Sequence, residues 1–160
     1  MKQEISFGRQ CIVVYPLVEE TNKSDLAAAT EGFEKLKKAF KNINLGLIHG
    51  KMTKIKKDTI MGQFVNNTIN ILVSTTVIEV GIDVPNASVI LIEHSERFGL
   101  TQLHQLRGRV GRGTAKSYCI LVERYVTPNS KKRLEVLEKT SDGFIIADED
   151  LKMRGPGKFF

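Results

Sequence analysis

Five short, nearly uninterrupted apolar runs set the frame of this chain: "CIVVYP" (11–16), "LGLIHG" (45–50), "INILVST" (69–75), "ASVILIE" (87–93) and "SYCILVE" (117–123). Runs of this length read as strands, and their lack of alternation predicts strands covered on both faces, as in a parallel sheet. Helical patterns separate them. The expected fold is therefore α/β, a doubly wound, mainly parallel sheet with helices on both faces. In "SDLAAATEGFEKLKKAF", Leu26, Ala29, Phe33, Leu36 and Phe40 share one helical face, while Lys35, Lys37, Lys38 and Lys41 lie mostly off it. A second helix is predicted over 54–66, packing through Ile60, Met61 and Phe64 behind Thr53 as N-cap. After the fifth run the pattern changes to two short helices that end at a Gly-Pro-Gly stop.

At 160 residues, with 41% hydrophobic and 26% charged, the chain suits one folded domain with a real core. Its net charge of +6 is compatible with a polyanionic partner without requiring one. Cys11 and Cys119 both sit inside apolar runs, which predicts buried small hydrophobes rather than a disulfide or metal site. His49, His94 and His104 have no metal-ligand spacing. No signal peptide and no apolar run long enough for a bilayer is evident, so a cytoplasmic location is expected.

The segment "QLHQLRGRVGRG" (102–113) carries the least ordinary chemistry. On a helix over 101–112, Leu103, Leu106 and Val110 form a core stripe, and Gln105, Arg109 and Arg112 form a polar row bordered by Gly108 and Gly111. Two glycines so close inside a helix need a reason, such as close approach of a backbone or a ligand. A carboxamide and two guanidiniums suit an anion with several oxygens. A solvated face and a plain phosphate-backbone contact are the competing readings.

"ILVSTTVIEVGIDVPNA" is a buried strand followed by a turn with Gly81, Asp83 and Pro85. Ligands of open α/β sheets bind outside the carboxyl ends of strands. Thr75 and Thr76 offer hydroxyls there, and Asp83 either accepts from a ribose or caps the turn. His49 and Lys51 of "HGKM" sit at a second such end. A phosphate loop of the form G-x-x-x-x-G-K-[ST] is missing: "GLIHGKM" has three residues between its glycines and Met52 where a hydroxyl is needed. "FIIADED" (144–150) imitates a magnesium-binding strand end, but reads better as a helix with a polar face. The arginines therefore lack a nucleotide-holding partner within these residues, and such arginines are commonly supplied across an interface.

"QLRGRVGR" and "STTVIEVGIDVP" resemble the sixth and fifth motifs of the second RecA-like domain of superfamily-two helicases. With "VVYPLVEE", "IHGKM" and "TSDGFIIADEDLKMRGPG", the resemblance covers nearly the whole chain and narrows to the RecG family of ATP-dependent DNA helicases. The transcription-repair coupling factor is a close cousin with a different opening strand. The resemblance implies a second RecA-like domain over 1–125 and, over 126–160, a helical hairpin leading into the start of a translocation loop. It implies Arg109 and Arg112 as arginine fingers, Gln105 as a coupling residue, Gly81 and Asp83 as nucleotide contacts, and Thr75, Thr76, His49 and Lys51 along the DNA backbone. ATP and Mg2+ would be held mainly by a preceding RecA-like domain of the same polypeptide, with no cofactor bound tightly by these residues alone. Double-stranded and branched DNA would be the partner, and a bacterial monomer is implied. The phosphate loop, acidic box and wedge domain of the family are absent, so the span reads as part of a longer enzyme, inert by itself. A noncatalytic nucleic-acid-binding module and a small phosphotransferase are the readings from other classes.

Overall fold

Each predicted apolar run forms a strand in the computed structural model, which describes residues 1–16, 23–75, 84–111, 113 and 116–154. In chain order the elements are α1 (Lys2–Ser6), β1 (Gln10–Tyr15), α2 (Lys23–Ala39), β2 (Leu45–Ile48), α3 (Lys54–Val65), β3 (Ile71–Thr75), β4 (Ala87–Ile92), a single 3-10 turn (Ser95–Arg97), α4 (Leu100–Arg107), β5 (Tyr118–Leu121), α5 (Pro128–Lys139) and α6 (Gly143–Arg154). The strands join in the order β2-β3-β1-β4-β5, all parallel. The doubly wound sheet is thus as the apolar runs imply.

Alternation along each strand feeds two cores. Cys11, Val13, Ile71, Val73 and Val89 face α1 and α2, meeting Ile5, Phe33, Leu36 and Phe40. Ile12, Val14, Ile48, Leu72, Ile90 and Ile92 face the other way, onto Met61 and Phe64 of α3, Leu100 and Leu103 of α4, Leu137 of α5 and Ile146 of α6. Phe64 is 1% exposed, and burying such a side chain contributes about 1.5–3 kcal/mol. Thr53 caps α3 as expected, its hydroxyl accepting from the Lys56 N–H. Gln10, fully buried, donates to the carbonyls of Phe64 and Ile69 at 2.6 and 2.7 Å and so locks the end of α3 onto β1. Without those acceptors a buried carboxamide would be strongly destabilising.

The structure corrects one expectation about coverage. The fifth strand is not covered on both faces: α2 lies over β1, β2 and β3, and α1 over β1, so Tyr118 and Ile120 remain 41% and 40% exposed. For the same reason Cys119 is only half-buried, whereas Cys11 is fully buried. "FIIADED" does form part of a helix, α6.

Candidate functional site

The residues singled out by sequence fall into two groups at opposite ends of the sheet. At the carboxyl end, Thr75 closes β3 in register with Tyr15 of β1, and His49 and Lys51 follow directly on β2, whose Ile48 pairs with Ser74. Thr75 is 1% exposed, yet among the described residues its hydroxyl has no hydrogen-bond partner, and neither has the buried Nδ1 of His49. Unpartnered buried polar atoms cost free energy, and here they stand together at the carboxyl ends of β2 and β3. Burial lowers the His49 pKa below the ordinary histidine value, and the Lys57 and Lys51 ammoniums push the same way. Thr76, Gly81 and Asp83 lie outside the described residues.

The arginine segment is at the other end. α4 leaves the carboxyl end of β4, takes Gly99 as N-cap with the Gln102 carboxamide accepting from the Gly99 N–H at 3.1 Å, and runs back toward the start of β5. It stops at Arg107, with Gly108 as C-cap. The expected helix over 101–112 is therefore too long, and Gln105 and Arg109 do not form one helical row. Leu103 and Val110 are nonetheless buried and Leu106 packs against them, so the core stripe holds. The glycines serve a turn. Gly111 has φ +86°, and a Cβ there would meet Ser117 Oγ at 2.7 Å, just ahead of β5. A Cβ on Gly113 would lie 2.6 Å from the carbonyl oxygen of Pro85, immediately before β4. The turn after α4 thus abuts the end of the "VGIDVP" stretch. Arg112 lies outside the described residues.

An open pocket of about 680 Å³ lies at the foot of α4, lined by His104, Gln105, Arg107, Gly108, Arg109, Val110, Gly111, Ser117 and Ser141. Exposed Gln105 and half-buried Arg109 thus open on one cavity although they share no helix face. Among the described residues its lining offers donors and no carboxylate, which suits phosphate oxygens. Among the described residues there is no group of His, Cys, Asp or Glu able to hold a metal.

Arg107 is the candidate that the sequence pattern hides. Its Nη1 donates to the carbonyl of Leu137 at 2.6 Å, one of the last-turn carbonyls of α5, and its Nη2 lies 3.0 Å from His104 Nδ1. Arg133 of α5 donates to the Glu96 carbonyl at 2.8 Å, and Thr101 to Asp150 of α6 at 3.1 Å. The α5–α6 hairpin is therefore bolted onto α4 and the turn before it. These partners lie 30 to 49 residues apart in sequence, beyond the reach of any local pattern.

The five-stranded parallel sheet flanked by helices is a RecA-like fold. The model of the helicase conserved C-terminal domain matches residues 1–114, and the chain belongs to that family. Within it, the chain is similar over its whole length to the ATP-dependent DNA helicase RecG: 52% identical to that of Thermotoga maritima over 161 residues, covering 100% of this chain and 21% of the relative, and 50% identical to that of Escherichia coli K12 over 157 residues, 96% and 22%. A structure of RecG bound to a three-way DNA junction superposes with a TM-score of 0.81 at 49% identity, covering 98% of this chain and 20% of that one. The C-terminal domain of the DEAD-box protein Dbp5 has the same fold (TM-score 0.61, 20% identity, 86% of this chain and 75% of that one). The chain spans about a fifth of the length of its RecG relatives.

Proposed function

We propose that this chain is the second motor domain of an ATP-dependent DNA helicase or translocase that remodels branched DNA, such as stalled forks and Holliday junctions, in recombination and repair. What carries the reading is the separation of two sites: Gln105 and Arg109 open on a pocket at the foot of α4 with no carboxylate among its described lining, and Thr75 Oγ1 and His49 Nδ1, without hydrogen-bond partners among the described residues, stand at the opposite end of the sheet. The strands between them put the groups about 15–20 Å apart. In this account Arg109 and Arg112 are arginine fingers whose guanidiniums donate to phosphate oxygens of a nucleotide held by a preceding RecA-like domain of the same polypeptide, with Gly81 and Asp83 beside it. Bound ATP supplies the phosphoryl group and Mg2+ neutralises its oxygens. Gln105 couples that site to the track, where Thr75, Thr76, His49 and Lys51 meet the sugar–phosphate backbone. Residues 1–125 form the motor domain proper, and 126–160 the hairpin and the start of a translocation loop, through which a change at α4 is passed on to DNA. The enzyme acts as a monomer in the bacterial cytoplasm; no described helix is long and apolar enough to cross a membrane.

The test is direct. The 160 residues alone should hydrolyse no ATP above buffer with Mg2+ present, and in the full-length polypeptide Arg112→Ala should reduce DNA-stimulated turnover by about 10²-fold or more while duplex binding persists. Hydrolysis by the isolated residues would refute the two-domain reading. An unchanged turnover number for Arg112→Ala would remove Arg112 from the catalytic residues.

A further inference from the structure

A helix on a protein surface buries one apolar stripe and turns polar residues outward. α6 departs from this. Its inner side packs through Ile146, 1% exposed, into the core shared with α4 and α5, and Glu149, Asp150 and Met153 on that side are partly covered. At about 100° per residue the opposite side carries Phe144, Ala147 and Leu151, all exposed, with the Phe144 ring 89% open to solvent. A helix apolar on both sides is normally covered on both. The ring also stands on a fixed turn: the Asp142 N–H donates to the Thr140 hydroxyl at 3.0 Å, the Phe144 N–H donates to the Asp142 carboxylate at 2.9 Å, and a Cβ on Gly143 would lie 3.3 Å from His104 Nε2 of α4.

The charges beside this ridge indicate what it meets. Lys152 bridges Asp148 at 3.2 Å and Glu149 at 3.5 Å, and Arg154 bonds Asp150 at 3.2 Å. Both cations of α6 are matched, and its carboxylates outnumber them. Such a surface repels phosphate, so DNA is a poor occupant. An aromatic anchor backed by aliphatic carbon, with paired charges at its margin, has the composition of a protein interface. Its place indicates which protein. His104 and Ser141 line the pocket on which Arg109 opens, and Phe144 follows Ser141 by three residues. The chain spans about a fifth of the length of its relatives, and a body of the same polypeptide that brings nucleotide to that pocket comes against the first turn of α6.

We infer that Phe144, backed by Ala147 and Leu151, is a docking ridge that seats this domain in an apolar socket on the preceding motor domain of the same polypeptide when nucleotide lies between the two. The inference rests on the motor-domain reading and adds to it a contact outside the arginine segment. Phe144 touches neither nucleotide nor DNA in this account and acts as a positioning residue. Because Asp150 of α6 accepts from Thr101 of α4, seating the ridge fixes how far the turn after α4 stands from the phosphates.

Photo-cross-linking in the full-length polypeptide tests it. Phe144→p-benzoylphenylalanine, irradiated with duplex DNA, Mg2+ and a non-hydrolysable ATP analogue, should cross-link within one chain to peptides of the preceding motor domain, several-fold more with the analogue than without it. A cross-link to DNA or to a second polypeptide, or a yield indifferent to the analogue, overturns the inference. Phe144→Ser should lower DNA-stimulated turnover by about tenfold and raise KM for ATP at unchanged duplex affinity and melting temperature, and Phe144→Leu should restore most of the loss because the socket asks only for apolar bulk. Val65→Ser, exposed at the end of α3, should change none of these. Turnover untouched by Phe144→Ser, or lost equally in Phe144→Leu, also overturns it. Where the cross-link is absent but hydrolysis still depends on Arg109, the ridge falls and the motor reading stands. A nucleotide-dependent cross-link in a protein whose hydrolysis ignores Arg109 keeps the ridge and removes the arginine fingers.

Discussion

The two ends of the sheet are built by different means. At the carboxyl end, Thr75 is placed by its register with Tyr15, and His49 follows the pairing of Ile48 with Ser74. At the amino end, Arg109 sits past the last turn of a short helix, in a turn located by neighbours from elsewhere in the chain, Gly113 against Pro85, Gly111 against Ser117 and Arg107 against Leu137. Placement by strand pairing suits the proposed DNA track, which would have to hold its shape. A turn held by a few separable interactions suits a site that must move relative to a neighbouring domain.

The comparison can be broken most forcefully at Gly113. Gly113→Ala drives a methyl into the Pro85 carbonyl and must part the turn from the strand; because misplacement by about 1 Å can cost roughly 10²-fold, DNA-stimulated turnover of the full-length polypeptide should fall by about that factor with duplex affinity held. Equal losses of turnover and affinity would mean that the two ends are not separable.

Arg107→Ala is the next largest. It strips a charged donor from the Leu137 carbonyl, and such bonds contribute about 1.5–3 kcal/mol. Amide exchange should accelerate across α5 and α6 while β2 and β3 stay protected; uniform acceleration would show that the hairpin and sheet open as one unit. Thr75→Val probes the rigid edge with the opposite sign. Since the hydroxyl has no partner among the described residues, the variant should be as stable or up to about 1 kcal/mol more stable by denaturant melting, yet bind duplex several-fold more weakly. A clear loss of stability would mean that Thr75 is structural.

The pH effects are smallest. Glu4, hydrogen-bonded by Arg9 and Ser88, has its pKa held down to about 2. A depressed carboxylate pKa gives stability that is complete above about 4.5 and is lost as pH falls toward 2. His49 is lowered too, so its neutral form favours the fold and stability declines as pH drops below the ordinary histidine value of 6.5. Glu4→Gln should flatten the acid limb of a thermal-stability profile and leave the limb near pH 6 untouched.

Much of this was legible in the sequence, and the division follows physics. Apolar runs announce buried parallel strands, and Thr53 announces a helix start. The placement of His49, Lys51 and Thr75 at strand carboxyl ends was legible because each follows or closes an apolar run. The end of α4 was not legible: Leu103, Leu106 and Val110 keep helical spacing past Arg107, and a glycine costs too little to mark a stop. The open face of β5 escaped because coverage depends on where α1 and α2 lie, not on "SYCILVE" itself. Arg107 escaped because its partner is a backbone carbonyl 30 residues away, which has no residue signature.

The central proposal is that the turn after α4 faces nucleotide and the carboxyl end of the sheet faces DNA, as two separate sites. Turnover number at saturating duplex and duplex affinity, measured on Arg109→Ala and Lys51→Gln in the full-length polypeptide, test that separation most directly. Arg109→Ala should lose about 10²-fold or more in turnover at unchanged affinity, and Lys51→Gln should weaken affinity while turnover recovers at saturation. Both substitutions lowering both quantities in proportion would contradict it.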